Sequence, residues 1–127
     1  MRVLLDTHVY LWAIEDNKQY LTAQAREWIS EADEVYVSSV SIWEAIIKIK
    51  LKKLQANVEK LIGSIEESGF LTLPVTIQHA AYIHELPDIH KDPFDRMLVS
   101  QAICEPLKLI TSDAILAKYY QNVLLIS

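Results

Sequence analysis

Five short apolar runs limit what this chain can fold into. They are Arg2-Val3-Leu4-Leu5-Asp6, Val35-Tyr36-Val37-Ser38, Phe70-Leu71-Thr72-Leu73, Leu107-Lys108-Leu109-Ile110-Thr111 and Val123-Leu124-Leu125-Ile126. The first has almost no polar interruption, which is how a strand buried on both faces reads. Between the runs lie longer segments with apolar residues at helical spacing. Strands alternating with helices predict an α/β domain with a mainly parallel sheet, helices on both of its faces and right-handed crossovers.

The helices follow from their caps and stripes. Asp6 or Thr7 can cap a helix from His8 to about Ile14. Glu15-Asp16-Asn17-Lys18-Gln19 is a polar loop. Thr22 caps a second helix to about Ala32, with Ala25, Trp28, Ile29 and Ala32 at helical spacing, and the two helices form a hairpin laid against the sheet. Ser38, Ser39 and Ser41 crowd the entry to a long helix reaching about Lys53. Ile42, Ile46 and Ile49 form one stripe on it, and Trp43, Ile47, Leu51 and Leu54 a second, which predicts contact on two sides. Lys48, Lys50, Lys52 and Lys53 give its end a positive face, favourable to the helix dipole. A helix from Asn57 to about Ser68 is stopped by Gly69. Thr76 begins another that ends near Leu86-Pro87. Ser112-Asp113 cap a short helix to about Tyr120.

The stretch His90-Lys91-Asp92-Pro93-Phe94-Asp95-Arg96-Met97-Leu98-Val99-Ser100-Gln101-Ala102 opens the remaining helix, which reaches about Cys104 before Glu105-Pro106 breaks it. Asp92 stands where an N-cap belongs, Pro93 at the first helical position, and Asp95 in the first turn near the positive end of the dipole. Taken alone, both acids read as capping residues.

Chemistry enters with the other acids. In parallel α/β sheets, ligands bind outside the carboxyl ends of the strands, where strand order reverses. Asp6 ends the first strand. Thr111, Ser112 and Asp113 end the fourth. Glu44 lies about a turn and a half into the helix after the second strand, away from its isoleucine stripe. If the first and fourth strands are neighbours at the switch point, Asp6, Glu44, Asp95 and Asp113 can converge there. Carboxylates packed without cationic partners repel one another and raise their pKa values. A divalent cation removes that cost, and carboxylate-only ligation selects Mg²⁺ or Mn²⁺ over zinc. Each acid also has an ordinary reading: Asp6 and Asp113 as N-caps, and Glu44 closing a capping box with Ser41 or pairing with Lys48.

Composition narrows the alternatives. At 127 residues the chain is expected to form one domain, 1–127, with a substantial core, since 51% of it is hydrophobic and 23% charged. No apolar run approaches membrane-spanning length, and Met1-Arg2-Val3-Leu4-Leu5-Asp6 is not a signal peptide. Cys104 is the only cysteine and is expected to be a small buried hydrophobe, which together point to a reducing, cytoplasmic setting. A net charge of −5 argues against a general polyanion binder. Gly63 and Gly69 are the only glycines, so no glycine-rich phosphate loop exists. His8, His79, His84 and His90 are dispersed. His79 and His84, five apart, do not share the face a zinc pair needs. His8, beside Asp6, has two readings: it could line the site, but a packed or capping role is the one expected.

With those residues in view, the chain resembles the PIN-domain ribonucleases of the toxin branch, the VapC-like toxins of type II toxin–antitoxin modules. The resemblance runs the whole length. It rests on Leu4-Leu5-Asp6-Thr7-His8, on Ser38-Ser39-Val40-Ser41-Ile42-Trp43-Glu44 with Lys48 beyond, on Leu73-Pro74-Val75, on His90 to Ala102 and on Leu109-Ile110-Thr111-Ser112-Asp113. It implies a three-layer α/β/α fold with a five-stranded parallel sheet of order 3-2-1-4-5. It also implies a Mg²⁺ or Mn²⁺ site made by Asp6, Glu44, Asp95 and Asp113, supported by Thr7, Asp92, Thr111 and Ser112, and cleavage of RNA phosphodiester bonds. Arg96, Lys48 with the lysines that follow it, and Lys118 are candidates for phosphate contacts. A homodimer and a cognate antitoxin are implied as well.

Two other classes compete. A phosphoacceptor receiver needs an Asp closing the third strand and a Lys closing the fifth, where this chain has Leu73-Pro74 and Ile126-Ser127. An aspartyl-phosphate phosphatase wants a second Asp two residues after Asp6, where His8 stands. A non-catalytic protein- or RNA-binding member of the same fold is the second alternative, and all four acids are present against it.

Overall fold

The computed structural model describes residues 1–89 and 91–127; His90 lies outside the described residues. The strands are β1 (Arg2–Leu5), β2 (Glu34–Ser38), β3 (Leu71–Leu73), β4 (Lys108–Thr111) and β5 (Val123–Leu125). The helices are α1 (Thr7–Ile14), α2 (Ala23–Glu31), α3 (Ser39–Lys50), α4 (Val58–Glu67), α5 (Ile77–Tyr82) and α6 (Pro93–Cys104). Single 3₁₀ turns occupy Ile83–Glu85 and Leu116–Lys118. All strand pairs are parallel and the sheet order is β3-β2-β1-β4-β5, as the resemblance implied. Strand order therefore reverses between β1 and β4, and that junction positions the site.

Side chains along β1 alternate between two cores because strand periodicity is two. Val3 and Leu5 face a cluster with Val9, Tyr10, Leu11, Leu21, Ala25, Leu61 and Ile65, from α1, the loop before α2, α2 and α4. Leu4 faces the other, with Leu98, Val99, Ala102 and Leu116. Burial on both faces is why the β1 run lacks polar residues. Ile42, Ile46 and Ile49 of α3 pack on the first cluster, as the stripe predicted. The second stripe divides: Leu54 joins that core, whereas Trp43 and Leu51 are exposed at 60% and 59%. Trp43 meets only the edge of Phe94 among the described rings, at 5.1 Å between centroids.

One predicted helix end moves, through a closure that also finishes two helices whose ends were expected. The α3 helix stops at Lys50 rather than Lys53, because Lys52 adopts φ 59° and the amides of Lys52 and Lys53 turn back to the carbonyls of Ile49 and Lys48. This is the Schellman closure. The same closure ends α1, with Asp16 at φ 52°, and α4, with Gly69 at φ 76°. Only at Gly69 does the residue type announce it. The short helix expected after Ser112-Asp113 is a 3₁₀ turn instead: Asp113 Oδ1 accepts from the Ile115 amide at 2.9 Å, an Asx-type turn that competes with an α-helical start. Cys104 is half-buried rather than buried, since it sits at the last residue of α6.

Candidate functional site

Asp6 follows β1 directly, and its backbone amide continues the ladder by donating to Ile110 O of β4 at 3.1 Å. That bond sets Asp6 beside the end of β4. Its Oδ1 accepts from the Val9 amide at 2.8 Å, making it the N-cap of α1. Its Oδ2 accepts from the Thr111 hydroxyl. Thr111 Oγ1 in turn accepts from the Asp113 amide at 3.0 Å, which ties the turn carrying Asp113 to the same point. Asp92 Oδ1 accepts from the amides of Phe94 and Asp95 at 2.8 and 3.2 Å, so Asp92 caps α6 and fixes the turn that presents Asp95.

Glu44 approaches from α3. Ser38, not Ser41, caps that helix, which places Glu44 in its interior and removes the capping box as an explanation. Thr7 Oγ1 lies 2.6 Å from Glu44 Oε1 and 3.0 Å from Ser41 Oγ. A carboxylate can only accept, so the Thr7 proton goes to Glu44 and Ser41 donates to Thr7. Lys48 Nζ is 3.2 Å from the other oxygen, Glu44 Oε2. The predicted i,i+4 pair is therefore present.

These groups line one cavity of about 170 Å³, formed by Asp6, Thr7, His8, Glu44, Lys48, Asp92, Asp95, Ser112 and Asp113. Asp6 and Glu44 are buried, at 6% and 8% exposure. Burial pushes the Asp6 carboxyl above its ordinary range; the bonds from Thr111 and Val9 and the neighbouring His8 pull it back, and the Glu44 charge adds a further upward push. Desolvation, more than like-charge repulsion, is the main cause. The donors around the cavity are chiefly carboxylate and hydroxyl oxygens, the class a hard divalent cation selects. Their present rotamers serve protein partners instead. Among the described residues no three acid, histidine or cysteine side chains converge as ligands on one point.

A PIN domain family model matches residues 3–122. The chain belongs to the PIN domain family. Its fold is similar to that of VapBC2 from Rickettsia felis bound to a promoter DNA fragment, with TM-score 0.71 and 17% identity over 98% of this chain and 97% of that one. It is also similar to DNA-bound VapBC from Salmonella typhimurium, with TM-score 0.67 and 18% identity over 98% and 96% of the two chains. A toxin–antitoxin complex from Klebsiella pneumoniae gives TM-score 0.67 and 16% identity over 98% of both. No curated protein matches by sequence.

All four predicted acids of this PIN domain, with Thr7, Asp92 and Ser112, line the cavity, and Thr111 stands behind Asp6. Two of the three basic candidates do not line it. Arg96 is directed to carbonyls of Pro87 and Ile83 at 3.2 and 3.5 Å and to the Tyr119 hydroxyl at 3.4 Å. Lys118 is exposed on its 3₁₀ turn. Only Lys48 reaches the lining. His8 joins it too, the first of its two readings, while its ring also packs near Trp12 at 5.9 Å between centroids. Ser41, read at i,i+3 as a capping-box partner of Glu44, reaches it instead through Thr7, a link no local spacing signals. His79 is spent on structure: its Nδ1 accepts from the Thr76 amide at 3.0 Å, so the proton sits on Nε2, 2.7 Å from Glu105.

Proposed function

We propose that this PIN domain, taken as one unit over 1–127, is a Mg²⁺- or Mn²⁺-dependent endoribonuclease and the toxin of a toxin–antitoxin module. One observation carries the reading: acids from four separate elements, far apart in the chain, line a single cavity at the carboxyl ends of β1 and β4. Asp6 and Asp95 are assigned as direct ligands. Glu44 and Asp113 are assigned to the ion through water, or to orienting the nucleophile. Bound there, the ion supplies Lewis acidity, activating a water for in-line attack and steadying charge on the phosphoryl oxygens. The chain's own part is orientation. Thr111 holds Asp6, Thr7 with Ser41 holds Glu44, and Asp92 fixes the turn that carries Asp95.

The structurally similar VapBC proteins and the Klebsiella complex are toxin–antitoxin assemblies, which supports a cognate antitoxin as partner here. We further assign single-stranded RNA as substrate, a homodimer as the working form and the cytoplasm as location. No described helix is long and apolar enough to cross a membrane.

Purified protein is expected to cleave single-stranded RNA with Mg²⁺ or Mn²⁺ and not with chelator. Asp6→Asn and Asp95→Asn are expected to abolish cleavage while keeping the fold, because each removes a ligand charge and little volume. Glu44→Gln is expected to remove activity as well. The separation of the carboxylates favours one other reading, a non-catalytic RNA- or protein-binding module. Metal-independent RNA binding with no cleavage, or full cleavage by the Asp6→Asn/Asp95→Asn double variant, would establish that reading or move the site elsewhere.

A further inference from the structure

The cavity presents a problem to the substrate assigned above. Five of its lining residues are acids, and a phosphodiester approaching them is repelled. Lys48 is the one Lys or Arg side chain in the lining among the described residues. Arg96 and Lys118 lie elsewhere, as do Lys50, Lys52 and Lys53, which stand exposed at and beyond the end of α3.

An i,i+4 Glu–Lys pair on a helix is ordinarily a solvated surface contact worth about 0.3–0.5 kcal/mol. This one differs in its anchor. Glu44 is buried, its other oxygen is held by Thr7, and Thr7 is held by Ser41. The Lys48 stem is itself mostly covered, at 30% exposure. The ammonium is thus fixed at the cavity by a chain of buried hydrogen bonds. It carries three donors, of which Glu44 needs one.

We propose that Lys48 is a catalytic residue of this cavity: it contacts the non-bridging oxygens of the phosphodiester, and its hold on Glu44 couples that contact to metal loading. The inference rests on the nuclease reading above. Its signature is an opposition. A positive charge beside Glu44 competes with an incoming divalent cation, so removing it favours the ion. The same removal takes away a phosphate contact, so it disfavours the nucleic acid. A residue that merely props Glu44 in place would move both in the same direction.

The test uses full-length wild type, Lys48→Met, Lys48→Gln and Lys48→Arg, with circular dichroism confirming the fold of each; Lys48→Gln keeps much of the stem if Lys48→Met does not fold. Mn²⁺ affinity is measured by calorimetry. Affinity for an oligonucleotide whose bridging phosphodiester oxygens are replaced by methylene, which keeps the non-bridging oxygens and cannot be hydrolysed, is measured with Mn²⁺ across salt concentrations, and cleavage is followed on the matching RNA. Lys48→Met or Lys48→Gln is expected to bind Mn²⁺ at least as tightly as wild type. It is also expected to lose oligonucleotide affinity, with the slope of log K against log salt shallower by about 0.7, one single-strand phosphate contact. Cleavage is expected to fall by about 100-fold, within the range that a charge acting on the transition state supplies. Lys48→Arg is expected to restore much of both. Unchanged salt slope and cleavage in Lys48→Met would overturn the proposal and leave an ordinary ion pair. Parallel loss of Mn²⁺ binding and cleavage with an unchanged slope would overturn it too, making Lys48 a positioning residue for Glu44. Failure of the nuclease reading shows differently, as a wild type that does not cleave RNA with Mn²⁺, and it removes this inference with it.

Discussion

Asp6 is under opposing demands, as a buried charge and as a structural cap. Two hydrogen bonds and the nearby His8 favour its ionised form, but burial dominates and its folded-state pKa is raised. A raised folded pKa means the folded protein binds that proton more readily than the unfolded chain. In metal-free protein the Asp6 contribution is therefore most favourable below the ordinary carboxylate range. It is lost as pH rises through the folded pKa, and the penalty persists above it. Metal-free Asp6→Asn has no such term, and Asn caps a helix about as well as Asp. The variant is expected to melt higher than wild type at neutral pH, with the difference shrinking towards zero as pH falls through the raised pKa to the unfolded value. Calorimetry with chelator across that range checks it; a variant that melts lower at every pH would show that Asp6 serves mainly as cap and Thr111 partner. The neighbouring Thr7 gives a second expectation. Thr7→Val leaves buried Glu44 without its hydroxyl donor and is expected to cost about 1.5–3 kcal/mol in denaturant unfolding, the range for hydrogen bonds to charged groups.

At the scale of elements, helix starts are written in side chains and helix ends in backbone. Asp6, Thr22, Asn57, Thr76 and Asp92 each accept an amide from the first turn that follows, and each was readable as a cap. The ends of α1, α3 and α4 depend instead on one residue taking positive φ, and the residue is glycine only at Gly69. Lys52 holds that conformation at φ 59° against the steric cost of its own Cβ. Lys52→Gly relieves it while adding freedom to the unfolded chain, and is expected to stabilise by about 0.5 kcal/mol, the balance of those two effects. Chemical denaturation reads this directly. A destabilised Lys52→Gly would mean that the Lys52 side chain contributes more than its backbone strain costs.

For the whole molecule, the reversal of strand order is the feature that gathers the acids. Three of them reach the cavity along β1, β4 and the start of α6, and Glu44 is carried in by α3 after β2. Loading a shared site with an ion stabilises the entire fold by mass action. Wild type is expected to gain roughly 2.7 kcal/mol at a hundredfold excess of Mn²⁺ over its dissociation constant, and Asp6→Asn much less. Thermal unfolding with and without Mn²⁺ tests the unity of the site: equal gains in both proteins would mean the acids do not act on one ion.

The sequence by itself determined the elements and the candidates. Uninterrupted apolar runs such as Val3-Leu4-Leu5 mark doubly buried strands, caps mark where helices begin, and the order of Asp6, Glu44, Asp95 and Asp113 along the chain marks the family. These are local or ordered features, and each is written in residue type. Tertiary structure alone decided what those residues touch. That Thr7 would join Ser41 and Glu44, and that the Glu44–Lys48 pair, itself legible as i,i+4, would line one cavity with Asp6, Asp95 and Asp113, depend on residues far apart in the chain meeting in space. No periodicity records such meetings. The end of α3 stayed hidden for a related reason: Lys52 adopts a backbone conformation its residue type does not favour, and the amide bonds of Lys52 and Lys53 to the carbonyls of Ile49 and Lys48 hold it there.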